Sequence, residues 1–362
     1  MRVALTVAAL AAVIVPFAAD APSGRADPAL DARRALGSYA AMQTYLFDAR
    51  TGRYREVVGG PAAAHAWPFS QALTAMIQVA RLHSARAVAA VPARLRTLER
   101  LFRTGAAYAA WPGGDVYFDD DEWIAGALLD WRELRGDVQA QRRAAAVFAL
   151  VAREWDGVAQ HPCAGGIYWT VASGNRDRNT VTTANAALLA LRLYGVTHAA
   201  AYLNWSRRLL AWLDTCMLGD NGLYRDHIAL DGTVDATYWS YNQGLVIGAL
   251  VELYSATGDP SVLARAEALA DGALSYFGPR WTAGEPPEFA AIFFRQLLGL
   301  AAVDGRADYV AAAEGYGARA WSNARDPRTG LFAFGGSTRL LDQAALVQLY
   351  AALAQQRVTT GS

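Results

Sequence analysis

The sequence predicts an all-α chain closed into an (α/α)6 barrel of six helical hairpins. Three observations predict it: terse glycine-bearing joints, longer aromatic loops at a regular spacing, and apolar helices alternating with amphipathic ones. The joints are Arg135-Gly136-Asp137, Tyr194-Gly195-Val196-Thr197, Thr257-Gly258-Asp259-Pro260 and Val303-Asp304-Gly305-Arg306. Each pairs a glycine helix stop with a capping restart, the chemistry of a helix–turn–helix connection. Between the joints lie loops in which an acid or amide is followed by glycine and then an aromatic. Taking Gly52, Gly114, Gly166, Gly222, Gly284 and Gly330 as markers, the separations are 62, 52, 56, 62 and 46 residues. A recurrence of about 55 residues is the length of one helical hairpin plus a loop.

The pattern places twelve helices, beginning near Ala32, Trp67, Ala93, Asp120, Asp137, Thr180, Thr197, Ser240, Ser261, Phe289, Asp304 and Thr338. Within Asp120–Leu134, Trp123, Ile124, Ala127, Leu128 and Trp131 recur at helical spacing. The segment Ser240–Tyr254 is apolar nearly all round, as a helix buried on both sides must be, whereas Ser261–Tyr276 carries Arg265, Glu267 and Asp271 as an outer helix does. An open superhelical array is the competing arrangement, and six pairs at this period favour closure. With the tight joints gathered at one end, the aromatic loops and the starts of the inner helices share the other, where function is expected.

At the N-terminus, Arg2 precedes an apolar run from Val3 to Phe17, with small residues at Ala18, Ala19 and Ala21. That is a secretory signal pattern, and the run is shorter than the roughly 20 residues of a spanning helix. Residues 1–26 are therefore read as signal peptide and leader, and residues 27–358 as one barrel domain. The product is expected outside the cytoplasm, with no stable membrane insertion after cleavage, and as a monomer. The formal net charge is zero, so nothing draws the chain electrostatically to nucleic acid or an acidic membrane, and an uncharged ligand fits better. Two cysteines, Cys163 and Cys216, leave both a disulfide and two buried thiols open. The five histidines are scattered without metal-ligand spacing, so neither metal nor cofactor is expected.

The run Tyr117-Phe118-Asp119-Asp120-Asp121-Glu122-Trp123 carries the strongest chemical signal. Acids at a helix start have an ordinary explanation as N-cap and dipole partners. One cap needs only one carboxylate, however, and four in a row repel one another. The helix N-terminus favours ionisation of one acid, while a neighbouring charge and an aromatic wall raise another. One charged and one protonated carboxyl group at neutral pH is what glycoside hydrolysis uses, and adjacent residues can set them about 5 Å apart, the separation of a retaining mechanism.

Several further blocks follow in order: Gly165-Gly166-Ile167-Tyr168-Trp169, then Arg178-Asn179-Thr180-Val181-Thr182, Tyr241-Asn242-Gln243-Gly244 and Phe289-Ala290-Ala291-Ile292-Phe293. Together with the acidic run they resemble glycoside hydrolase family 76, the α-1,6-mannanases, over about residues 37 to 355. The resemblance implies an (α/α)6 fold and cleavage of α-1,6-linked mannose chains with retention. Counting back from Trp123, it places the nucleophile on Asp119 and the acid/base on Asp120. The third acid leaves a shifted register, Asp120 with Asp121, as an alternative. Ile124 stands where a second Trp is common, and Ala290-Ala291 where Lys-Gly is usual.

Asp121 and Trp123 are candidate substrate contacts within the motif. Tyr168 and Trp169 offer faces on which a pyranose can stack, or one of them belongs to the core. Asn179 is either a loop-ordering amide or a hydroxyl ligand. Tyr241, Asn242 and Gln243 open a buried helix with more amides than capping needs, and Phe289 is lining or core. Arg176 and Arg178 read as solvated loop charges. The leading expectation is a secreted endo-acting mannanase whose partner is α-mannan or a mannooligosaccharide. A transglycosylase using the same intermediate and a non-catalytic sugar-binding barrel are the alternatives.

Overall fold

The computed structural model describes residues 27–356 except 173, 279, 282 and 283. The leader 1–26 and the expected domain end at 357–358 lie outside the described residues. Six helices form an inner ring: α2 (Ala66–Arg81), α4 (Phe118–Arg135), α6 (Thr180–Thr197), α8 (Ser240–Thr257), α10 (Pro287–Asp304) and α12 (Leu340–Ala354). Each packs on the next, and α12 returns to α2, so the ring is closed. The outer layer is α1 (Pro28–Leu46), α3 (Ala85–Phe102), α5 (Val138–Val151), α7 (Ala200–Cys216), α9 (Pro260–Phe277) and α11 (Ala307–Asn323). The inner helices are buried nearly all round because each faces the lumen on one side and an outer helix on the other. At Gly244 a Cβ would stand 2.7 Å from the Phe293 Cα, so a glycine is what lets α8 and α10 approach so closely.

Five hairpins are consecutive in sequence. The sixth pair is made from the two ends of the chain, α1 packing outside α12. The joints end in left-handed residues at Gly136, Gly258 and Gly305. At the α6–α7 joint the helix runs through Gly195, and His198 takes the left-handed position instead, with φ of 53°. The largest departure from the expected boundaries is α3, which begins at Ala85 rather than near Ala93. Pro92 lies inside it, and an interior proline is the residue that sequence reading treats as a boundary. No helix among the described residues is long and apolar enough to cross a membrane.

Among the described residues, the connections at the other end carry seven two-residue strands. β1 (Phe47–Asp48) pairs with β2 (Arg53–Tyr54), and β3 (Arg103–Thr104) with β4 (Ala107–Tyr108). β5 (Arg178–Asn179), β6 (His227–Ile228) and β7 (Val234–Asp235) form a three-stranded ladder. The hairpins correct one repeat marker. Gly105, with φ of 64°, turns β3 into β4 as Gly52 turns β1 into β2, so Gly105 and not Gly114 is the second marker.

A single device attaches most of these loops to the barrel. The fourth residue of α4, α6, α8 and α12 is Asp121, Thr183, Gln243 and Gln343. Each accepts the backbone N–H of a loop residue: Tyr108 at 2.6 Å, Ile167 at 3.1 Å, Tyr224 at 2.8 Å and Phe332 at 2.8 Å. Gln243 and Gln343 also donate to the carbonyl of the same residue. The loop tyrosines are then gripped between outer helices, Tyr108 by Glu99 and Arg143, and Tyr224 by Asp214, which Arg265 also binds.

The tight-joint end of the lumen is closed by charge. Asp130 accepts from Arg192 at 2.8 Å and Gln78 at 3.1 Å, and Glu133 bridges Arg81 and Arg192. Burial alone would raise Asp130, but Arg192, Arg295 and Arg81 together hold it below its ordinary range. With that end plugged, the open end of the ring is the place for a ligand.

Candidate active site

A cavity of about 590 Å³ opens at the loop end, walled by all six inner helices and by the loops that precede α2, α4, α6 and α8. Asp119 and Asp120 line it from the first turn of α4. Neither acts as the cap. The N-cap is Tyr117, without a side-chain cap bond, and the acids sit further in. The capping explanation of the run therefore does not apply to these two.

Their surroundings differ. Asp119 is half-buried and accepts the Trp169 indole N–H at 3.0 Å. Burial raises it to about 6, opposed by the backbone N–H groups of Asp120 and Asp119 and by Trp169, while Asp226 adds to the rise. Asp120 is buried and accepts no hydrogen bond from any described residue. Burial, then the charges of Asp119 and Asp121, push it well above the ordinary carboxylate range. The pair therefore shares charge unequally: Asp119 has the donors that favour its ionised form, and Asp120 is the place for the proton.

Asp121, on the next position round the helix, is fully buried outside the cavity and serves as the loop anchor described above. This corrects its candidacy as a substrate contact, and it removes the geometric basis of the Asp120–Asp121 register. Glu122 is also fully buried, with neither carboxyl oxygen in a hydrogen bond, and burial, then the charges of Asp119 and Asp121, push it well above the ordinary carboxylate range.

Of the other candidates, Trp123, Trp169, Asn179, Tyr241 and Phe289 line the cavity. Tyr241 stacks on Phe289 with centroids 3.9 Å apart and planes at 13°, and Trp239 meets Phe289 edge-on. Trp169 packs against Tyr117 at 4.9 Å. Asn179 occupies the N-cap of α6 without capping it, and its Oδ1 has no partner. That buried oxygen beside the cavity is an acceptor waiting for a donor.

Tyr168, Asn242 and Gln243 do not line the cavity. Tyr168 and Trp169 turn their side chains to different partners, Trp169 to Asp119 in the cavity wall and Tyr168 away from it. Tyr168 points to Asp156 at 2.9 Å, under the Arg176 guanidinium. Asn242 is fully buried and donates to Asp226 at 3.2 Å from behind the wall. Gln243 is the loop anchor of α8.

Arg178 is not a solvated charge. It is fully buried, pairs with Asp156 at 2.7 Å, and donates to the carbonyls of Pro162 and Ala229. The Cys163–Cys216 disulfide ties the same loop to the end of α7, with Cα atoms 6.0 Å apart across a sequence separation of 53. For a loop of that length the chain-entropy model gives roughly 4 kcal/mol. Together they fix the segment that delivers Trp169, Asn175, Asp177 and Asn179 to the cavity.

Sequence reading missed Glu56, His65, Trp67, Trp111, Tyr117, Asp177, Asp226 and His227, all of which line the cavity. Tyr117 and Trp111 stood in glycine-rich loops, a usable signal. Asp226 and His227 gave none, because β6 brings them beside Asn179 on β5 from a distant part of the chain. The His227 Nδ1–H donates to the Asp226 carboxylate at 2.9 Å, a contact that raises the proton affinity of the imidazole. The potential ligand atoms of Asp226, His227 and Asp235 lie within 4.8 Å of one another, a grouping that a divalent cation can bridge.

The model of glycosyl hydrolase family 76 matches residues 31–313. The chain belongs to glycoside hydrolase family 76. Among curated family members, a Candida glabrata protein named mannan endo-1,6-alpha-mannosidase DCW1 is 30% identical over 172 residues, 42% of this chain and 38% of that protein. The match thus spans well under half the length of that relative. A family 76 mannosidase from Bacteroides thetaiotaomicron superposes with a TM-score of 0.82 at 21% identity, over 90% of this chain and 98% of the other. An α-1,6-mannanase from Salegentibacter superposes with a TM-score of 0.78 at 22% identity, over 90% of this chain and 99% of that one. That structure is an inactive variant, with Asn replacing Asp at two consecutive positions, in complex with α-1,6-mannotriose. At these identities the superpositions establish the shared (α/α)6 fold.

Proposed function

We propose that this family 76 chain cleaves α-1,6-linked mannose chains with retention, Asp119 acting as nucleophile and Asp120 as acid/base. The observation that carries the reading is the unequal pair of neighbouring carboxyl groups in a sugar-sized cavity. In the first step the Asp119 carboxylate attacks the anomeric carbon while Asp120 gives its proton to the departing glycosidic oxygen. The bond to the leaving sugar breaks as the Asp119–sugar ester forms. In the second step Asp120, now ionised, takes a proton from water, whose oxygen displaces Asp119. The aspartates at 119–121 are the sole consecutive aspartates of the sequence, and the inactive Salegentibacter variant lost two in succession.

The lining supports a neutral glycan. Glu56, Asp119, Asp120, Asp177 and Asp226 contribute carboxyl groups, and no arginine or lysine appears among the described lining residues. Such a wall repels phosphate or uronate and suits hydroxyl groups, for which carboxylates and Asn179 are acceptors. The N-terminal signal pattern and the Cys163–Cys216 bridge support action outside the cytoplasm. An endo-acting mode is favoured by the name of the Candida glabrata relative.

Incubation with defined α-1,6-mannooligosaccharides, followed by NMR of the newborn reducing ends, tests the reading. The expected first product is the α-anomer. Untouched substrate, or β-anomer formed first, would overturn it.

A second expected result concerns pH. Catalysis needs Asp119 ionised, so kcat/KM should fall as the pH drops through about 6. It needs Asp120 protonated, so the rate should fall again as the pH rises through its raised proton affinity. A pH–rate profile flat from pH 4 to 9 would contradict the assignment.

A further inference from the structure

We infer that Trp111, with His65 and Glu56, forms an accessory subsite for an additional mannose unit of the same chain, beside the acid pair. The inference rests on the glycan-cleaving reading and names where the substrate continues. These residues come from the loops before α2 and α4, neighbours in the ring. The Asp177–Asn179 and Asp226–His227 groups come from the loops before α6 and α8. The acids on α4 thus have a sector of lining on either side.

Trp111 leaves 43% of its surface exposed, and it does so in the cavity wall. Burying that ring is worth free energy that the fold leaves unclaimed. The ring is also held still. A Cβ on Gly114 would lie 2.4 Å from the indole, so the glycine gives the ring a seat that no other residue allows. The Gly114 N–H closes the turn onto the Trp111 carbonyl at 2.8 Å. The neighbouring Ala110 carbonyl accepts from the Ala66 N–H at 2.8 Å, joining the shelf to the first residue of α2. A fixed, exposed aromatic face costs little entropy on binding and matches the C–H face of a pyranose.

Polar partners stand around it. The exposed His65 ring lies 5.6 Å from the indole, tilted by 49°. The Glu56 carboxylate lies along the His65 backbone, accepting its N–H at 3.4 Å. A stacking face with an imidazole beside it and a carboxylate in the same wall offers apolar contact to the ring and both donor and acceptor to the hydroxyls. None of the three reaches the reacting atoms in this scheme. They bind the chain and set its length preference.

The test compares α-1,6-mannotriose with α-1,6-mannohexaose. For the wild type, kcat/KM should be higher on the hexaose. Trp111→Ala should lower the hexaose-to-triose ratio about 10-fold, equivalent to 1.4 kcal/mol, chiefly through KM. Trp111→Phe should keep most of the ratio, and His65→Ala should lower it less than Trp111→Ala. Thermal melts report whether each variant is folded, and His65 is exposed enough to replace safely. An unchanged ratio in both Trp111→Ala and His65→Ala, or a loss in kcat equal for both sugars, would overturn the subsite. A wild type that cuts both sugars equally well would overturn the subsite alone, whereas one that cuts neither would overturn the glycosidase reading together with it.

Discussion

Replacing Asp119 or Asp120 by Asn is expected to lower kcat/KM on α-1,6-mannooligosaccharides by about 10³-fold or more, roughly 4 kcal/mol of transition-state stabilisation. The two variants should fail differently. Asp119→Asn keeps an oxygen for the Trp169 indole N–H but presents a neutral amide to the anomeric carbon, so every substrate should suffer alike. Asp120→Asn removes the proton donor. The loss should be severe for a sugar leaving group and much smaller in the first step for an aryl mannoside with an acidic phenol.

Stability separates catalysis from scaffolding. Asp120 is buried among like charges with no described hydrogen-bond partner, so Asp120→Asn should leave the melting temperature unchanged or raise it. Asp121→Ala removes the anchor of Tyr108 and should cost about 1–3 kcal/mol by chemical denaturation. An Asp120→Asn protein that loses stability as Asp121→Ala does would place Asp120 in the scaffold instead.

Arg178→Met is expected to be the most destabilising of the single changes considered. It takes away the arginine partner of Asp156, whose side chain is fully buried and keeps only the Val158 N–H, His161 and Tyr168, and it leaves the carbonyls of Pro162 and Ala229 without their donor. Removing one partner of a buried pair typically costs about 3–5 kcal/mol, because the other charge is left uncompensated. Urea denaturation measures this, and a variant within about 1 kcal/mol of wild type would show that the pair does not hold the loop. Activity should fall as well, since this segment carries Trp169 and Asn179 into the cavity. Burial raises Asp156, but the Val158 N–H, His161, Tyr168 and Arg178 outweigh it and hold the carboxyl below its ordinary value of 3.8. Its contribution is therefore present above that value and is lost as the pH falls through the lowered one.

The fold was legible because its signals are local. Glycine joints, aromatic loops and apolar runs repeat, and the starts at Thr180 and Ser240 coincide with α6 and α8. The failures have physical causes. Pro92 sits inside α3, where its usual meaning as a boundary misleads. Gly114 resembles a repeat marker but serves to seat the Trp111 ring, while Gly105 makes the turn.

The site was legible only in part. Asp119, Asp120 and Trp123 fall on the cavity because helical spacing carries them there. Asp121 and Gln243 look like ligands in sequence, yet they are repeats of one anchoring position, visible only when four helices are laid over one another. Arg178 reads as solvated because nothing local shows the carbonyls that surround it. Asp226 and His227 meet Asn179 across a strand ladder spanning about fifty residues, a distance over which spacing conveys nothing.

The most direct measurement is mass spectrometry of the peptide spanning residues 118–132 after turnover of a 2-deoxy-2-fluoro mannoside with a good leaving group. Such a substrate slows release of a covalent intermediate. Fragmentation should place one fluorosugar on Asp119, in ester linkage, in the wild type and not in Asp119→Asn. A label on Asp120 or Asp121, or rapid turnover without any labelled peptide, would contradict the mechanism.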